Sequence, residues 1–273
     1  MMFSDIVGNE EVKRALAGMV DRGKVPHALM FYENEGCGAL AIALAFLQYL
    51  ICRNHTQGDS CGSCPSCNKV AKLIHPDVHF VFPTNAPNLS QSYSSQWRDL
   101  VLSKPCFTEA DLAQALGIEG KSSIIAVAEA RAILDTLSLS ALEGGYRAVV
   151  IYLPEKMNQE AANRLLKMIE EPPAMTQFLL VCHSPEKVLQ TIASRCQCIR
   201  IRPQRRDERI GTEESESVYK DLFGQLMTAF GRHDLLDALE LGEALSALPS
   251  RESAKGFCRY AAARMRQIFL LQQ

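Results

Sequence analysis

At 273 residues, 47% of them hydrophobic, the chain has apolar material for one large or two modest domains, and a net charge of −2 excludes a broad basic field for nucleic acid. The N-terminal MMFSDIVGNEE carries acids and no apolar run, unlike an export signal. The longest apolar stretch, Ala39 to Ile51, is broken by Gln48 and too short to span a bilayer. The expectation is a soluble cytoplasmic protein whose ten cysteines are metal ligands or buried thiols rather than disulfides.

Val12, Leu16, Met19 and Val20 recur at helical spacing after Ser4-Asp5, and Gly23 ends that helix. Pro26 to Glu33 reads as a short buried strand, followed by a glycine turn and a helix through Ile51. Strand, glycine turn and helix form the context of a phosphate-binding loop. The chemistry of that loop is missing. The pattern G-x-x-x-x-G-K-[ST] would need Gly at Glu33, Lys at Ala39 and Ser or Thr at Leu40. What remains is a degenerate loop with Gly36, Gly38, Ala39 and Leu40, lacking a counter-charge for phosphates and a hydroxyl for Mg²⁺, with an anion added at Glu33. ATP is not expected to bind tightly.

Cys52 is followed after eight residues by CGSCPSC, which sets Cys61, Cys64 and Cys67 at two-residue gaps. Such gaps let successive thiolates face one ion, and four sulfurs complete a tetrahedron, so structural Zn²⁺ is expected. An iron–sulfur cluster is the rival, and His55 or His75 could replace one thiolate. Cys37, Cys106, Cys182 and Cys258 are isolated and read as small buried hydrophobes, while Cys196 and Cys198 lack a second pair for a metal.

Residues 83 to 123 begin with the polar PTNAPNLSQSYSSQ, expected to be a loop or insertion, and include a helical candidate from Glu109 to Leu116. Trp97, the only tryptophan, could stack a base or pin the loop; with no Lys/Arg cluster beside it, pinning is favoured. Val149 to Tyr152 forms a β-branched core strand. The acids of a working Walker B strand are replaced there by Tyr152 and Leu153, with Glu155 beyond the strand end. Asn158 to Glu171 is an amphipathic helix stopped by Pro172-Pro173. Its terminal acids Glu170 and Glu171 oppose the helix dipole, so another demand keeps them there, with contact of one of them to a basic group the expected one. A strand from Phe178 to Cys182 and a helical stretch from Pro185 to Ile192 lead to Ser194-Arg195-Cys196. Arginine is always charged and its planar fork suits phosphate. After Pro203 a charged tract reads as a solvated hinge, followed by helices from Glu216 to Phe230, Leu235 to Ala247 and Arg251 to Leu271.

FSDIVGNEEVKRAL, the cysteine module, NQEAANRLLKMIEEPP and SRCQ occur in an order that resembles the clamp-loader branch of the AAA+ ATPases, and within it the δ′ subunits of bacterial DNA polymerase III. The resemblance covers about 1–80 and 124–203, with 83–123 as an insertion. It implies an α/β P-loop NTPase (AAA+) core with a mainly parallel sheet and embedded zinc module over 1–203. A charged linker would follow over 204–217, then an α-helical region over 218–273. In that family the Ser-Arg-Cys arginine, here Arg195, is a finger reaching the ATP of the next subunit. The resemblance further implies a non-catalytic subunit with γ/τ and δ as partners, the sliding clamp and primed DNA engaged through the complex, and no membrane. A helix from Ile124 to Leu139 is expected after the insertion. The last helices are read as a partial collar with the lid deleted, or as the lid without a collar. The alternative function is a zinc-bearing structural or nucleic-acid-binding protein on a retired AAA+ scaffold.

Overall fold

The computed structural model describes residues 1–33, 38–56, 58–202, 213–232, 242–246 and 251–271. They fall into two compact units, Met1–Gln204 and Arg205–Gln273.

The first unit is built on a five-stranded sheet of β1 (Ala28–Tyr32), β2 (Val78–Val81), β3 (Arg147–Tyr152), β4 (Thr176–Cys182) and β5 (Gln197–Arg200). Spatial order is β2-β3-β4-β1-β5 and every pairing is parallel. All seven residues of β4 are buried, as expected for a central parallel strand covered on both faces. Side chains alternate between the faces. Leu29, Phe31, Val150, Tyr152, Leu179 and Val181 enter one core, whereas Met30, Val149, Ile151, Phe178 and Leu180 enter the other.

The first core is closed by α1 (Glu10–Asp21), α2 (Ala39–Ile51), α3 (Pro65–Ala71), α4 (Ser94–Ser103) and α5 (Glu109–Ala115). The opposite core is closed by α6 (Val127–Ser138), α7 (Gln159–Glu170) and α8 (Gln190–Ala193). Every residue of α2 is buried, which explains why its apolar run lacks a polar face. The α7 helix starts where Asn158 Oδ1 accepts the Ala161 amide at 2.8 Å, a side-chain N-cap, and stops before the two prolines.

The polar tract after Pro83 is less irregular than its composition predicts. Ser90–Tyr93 form a 3₁₀ turn and Ser94 opens α4. The serines read as turn signals, yet Trp97 and Val101, one helical turn apart, are buried and hold the helix on the core. The excursion closes where Thr84 and Ile124 exchange both backbone hydrogen bonds, at 3.1 and 3.0 Å. Trp97 pins the segment: its ring stacks on Phe82 at 4.4 Å and meets Phe107 edge-on at 5.6 Å and Tyr152 at 5.5 Å.

The second unit contains α9 (Glu213–Arg232) and α10 (Arg251–Leu271), whose core is Tyr219, Leu222, Phe257, Tyr260 and Ala261. Of the expected helix from Leu235 to Ala247, residues 242–246 are helical and the others lie outside the described residues. Phe257 and Ala261 of α10 are buried, whereas Met265, Ile268 and Phe269 further along the helix are exposed. No described helix is long and apolar enough to cross a membrane.

The aromatic cluster gives the first prediction. Trp97→Ala deletes a side chain that is 2% exposed and should cost about 3–5 kcal/mol, read as a lowered urea midpoint by circular dichroism. The indole N–H lacks a hydrogen-bond partner among the described residues, so Trp97→Phe, which keeps most of the stack, should cost far less.

Candidate functional site

The carboxyl ends of β1, β3 and β4 converge on one edge of the sheet, where ligands bind in open α/β folds. Glu33 follows β1 and is held in place when its main-chain N–H donates to Cys182 O at 3.2 Å. Gly36 and Cys37 lie outside the described residues. Gly38 is the N-cap of α2 with φ of +101°, a conformation that favours glycine. Ala39 and Leu40, at the lysine and hydroxyl positions of a phosphate loop, are buried in the core. The Ala39 amide donates to Glu33 Oε2 at 2.7 Å, so a buried carboxylate of the chain itself sits at the start of α2.

At the end of β3, Tyr152 is buried in the aromatic cluster with its hydroxyl 3.5 Å from His183 Nε2. Leu153 is also buried. Glu155 lies in the 3₁₀ turn Pro154–Lys156, beyond the strand, and its Oε1 accepts the amides of His183 at 2.8 Å and Ser184 at 3.1 Å. Burial pushes its carboxyl above the usual carboxylate range, against the lowering effect of those amides. Glu155 therefore caps the turn after β4. A groove of about 540 Å³ lies over these groups, lined by Glu109, Leu153, Glu155, Lys156, His183, Ser184 and Lys187. Glu109 and Lys156 close one side through an ion pair of 2.6 Å.

Arg195 lies between α8 and β5, its side chain about one-third exposed. The guanidinium forms an ion pair with Glu170, the last residue of α7, and donates to Thr191 O at 2.8 Å. The two motifs that flank β4 in the chain thus meet in space. The cation that answers Glu170 in this structure is Arg195 of the same chain, which relieves the misfit of an acid at a helix carboxyl end.

The four module cysteines also come together. Cys52 is the C-cap of α2 and Cys64 the N-cap of α3, with Pro65 opening the helix. Gly62 adopts φ of +68°, and a Cβ there would meet Met2 Sδ at 2.7 Å, so the turn between the cysteines favours glycine. The four Sγ atoms lie within 4.8 Å of one another, with Cys52–Cys61 at 3.5 Å and Cys61–Cys67 at 3.9 Å. A tetrahedral thiolate site with metal–sulfur bonds of about 2.3 Å needs sulfurs about 3.8 Å apart, so the donor set fits a metal ion. The amides of Cys61, Cys64 and Cys67 each donate to a preceding cysteine sulfur at 3.4 Å, which suits thiolates. Main-chain donors from Ser63 and Cys64 bring the Cys61 thiol down to about 6, whereas burial raises Cys52 and Cys67. The histidines are engaged elsewhere: His55 Nδ1 is 3.0 Å from Cys52 O, and His75 Nδ1 accepts the Asp77 amide at 3.2 Å.

Among the remaining cysteines, Cys182 is fully buried and burial raises its thiol. Cys258 is exposed on α10 and Cys106 only partly covered, so the expectation of buried thiols fails for Cys258. Cys198 is exposed on β5, a sheet-edge strand. His183 was not singled out from sequence because no local pattern marks it; its place follows from the parallel register of β4 with β1 and β3.

A family model described as DNA polymerase III, delta subunit, matches residues 8–205. The DNA polymerase III subunit delta' of Yersinia pestis is 34% identical over 67% of this chain and 44% of its own length. The DNA polymerase III subunit tau of Salmonella typhimurium is 27% identical over 71% of this chain and 24% of its own. A solved DNA polymerase III gamma subunit-related protein from Thermotoga maritima aligns over 90% of this chain and 76% of its own, at 16% identity and a TM-score of 0.40. The chain thus spans less than half the length of these curated relatives. With the family model covering most of its residues, the chain belongs to the DNA polymerase III delta-subunit family.

Proposed function

We propose that this chain is a non-catalytic, δ′-like subunit of a bacterial DNA polymerase III clamp loader, working in the cytoplasm. In this reading it assembles with γ/τ and δ subunits and helps them load the sliding clamp onto primed DNA. Its own contribution to chemistry is Arg195, offered to the ATP bound by a neighbouring subunit. The observation that carries the reading is the partly exposed Arg195 guanidinium, held beside the end of α7 by Glu170 and Thr191. An always-charged planar fork can meet two oxygens of a γ-phosphate as charge develops on it. Ala39, Leu40, Tyr152 and Leu153 supply neither a phosphate cation nor a Mg²⁺ ligand, which supports a subunit that does not turn over ATP itself. Residues 1–203 are read as the AAA+ core and the later helices as a partial collar.

Cys52, Cys61, Cys64 and Cys67 would hold Zn²⁺ in a structural role, since four protein ligands leave no open position for chemistry. The ion would tie the end of α2 to the start of α3.

Two outcomes test these assignments. In a loader reconstituted with ATP-competent subunits, Arg195→Ala should lower turnover at the facing site by about 10³-fold or more while leaving assembly intact. Arg195→Lys should lose much of the rate because it keeps the charge without the fork. Clamp- and primed-DNA-stimulated ATPase measures both, and wild-type rates in both variants would remove the finger. The purified chain should carry about one zinc per molecule by elemental analysis, lost in Cys67→Ser together with a fall in Tm. Iron with visible absorbance would instead indicate a cluster.

A further inference from the structure

We infer that the Glu33 carboxylate is a built-in occupant of the phosphate position at the start of α2, so that nucleotide is excluded by an internal anion as well as by missing ligands. The inference rests on the reading of this chain as a subunit that does not turn over ATP. In a strand–turn–helix unit of this kind the first amides of the helix point at an anion, and the helix dipole favours negative charge there. Here the first amide of the 13-residue α2, that of Ala39, donates to Glu33 Oε2 at 2.7 Å. The N-cap, Gly38, provides no side chain that could do the same job.

Glu33 is fixed at both ends. Its amide donates to Cys182 O, extending the β1–β4 pairing by one step, and its side chain is 3% exposed. Its other oxygen, Oε1, lies 3.9 Å from His183 Nε2. A carboxylate so deeply buried is tolerable where amides and a helix terminus compensate it, which is the same compensation a bound phosphate would use. A phosphate loop has glycine at this position, without a side chain, and leaves the amides to the ligand. Glutamate fills the space and repels the incoming oxyanion. Restoring the lysine and hydroxyl alone should therefore not restore nucleotide binding.

The test uses the full chain. Inorganic phosphate, compared with chloride at matched ionic strength, should raise the Tm of Glu33→Ala by several degrees more than that of wild type, because the vacated Ala39 amide at the start of α2 accepts it. Equal shifts would overturn the inference. A second arm compares Ala39→Lys/Leu40→Thr with Glu33→Gly/Ala39→Lys/Leu40→Thr, using a fluorescent ATP analogue with Mg²⁺. The triple variant should bind at least about tenfold more tightly than the double, the mark of removing a like charge. Equal affinities with an inert wild type would defeat this inference alone. ATP turnover by the wild-type chain would defeat the proposed function as well.

Discussion

The parallel pairing of β4 with β1 on one side and β3 on the other is the constraint on which the rest of the molecule depends. Phe178 sits opposite Ala28 in one register, and Val149 sits opposite Phe178 in the other. Because the strands run the same way, their carboxyl ends fall together, and with them Glu33, Tyr152 and His183. Burial of both faces makes a one-residue slip costly, since it would exchange the two cores side chain for side chain. The site geometry therefore follows from sheet register rather than from any local motif.

Around that edge the chain answers its own charges. Glu33 is taken by the α2 amide, Glu155 by the amides of His183 and Ser184, and Glu170 by Arg195. A working nucleotide site keeps such donors for phosphate oxygens. Here the aromatic cluster of Trp97, Phe107 and Tyr152 packs beneath the edge, and Ala39 and Leu40 join the core. Arg195 is set at the outer rim, between α8 and β5, with its guanidinium partly exposed. Its partner Glu170 is exposed, and an exposed pair of this kind is weak enough to be exchanged for a phosphate.

Much of this could be read from residue order. The two-residue gaps among Cys61, Cys64 and Cys67 are local, and a local pattern survives folding unchanged, so the cluster assembled with Cys52 as the spacing implies. Strands β1, β3 and β4 and helix α7 were legible because apolar runs and flanking prolines act over a few residues, whereas the four-residue strands β2 and β5 carry too short a pattern to stand out. What escaped was set by contacts between distant segments. Ser94 to Gln96 look like loop residues until Trp97 meets Phe82 and Tyr152. Glu170 is a misplaced acid at a helix end by sequence alone, and its partner, Arg195, is reached only through the β4 connection. By sequence Glu33 is an unwelcome anion in a phosphate loop; its bond to the first amide of α2 emerges only in the fold. Cys258 falls on the exposed side of α10, a facing decided by which residues of α9 it meets.

In the proposed function Arg195 acts on ATP held by a neighbouring subunit. The most direct measurement is a cryo-electron microscopy structure of the loader assembled with this chain and a non-hydrolysable ATP analogue. The account predicts Arg195 turned from Glu170 and within hydrogen-bond reach of the neighbour's γ-phosphate. Arg195 still paired with Glu170 beside an ATP-filled neighbour, or a ring formed without this chain, would contradict it.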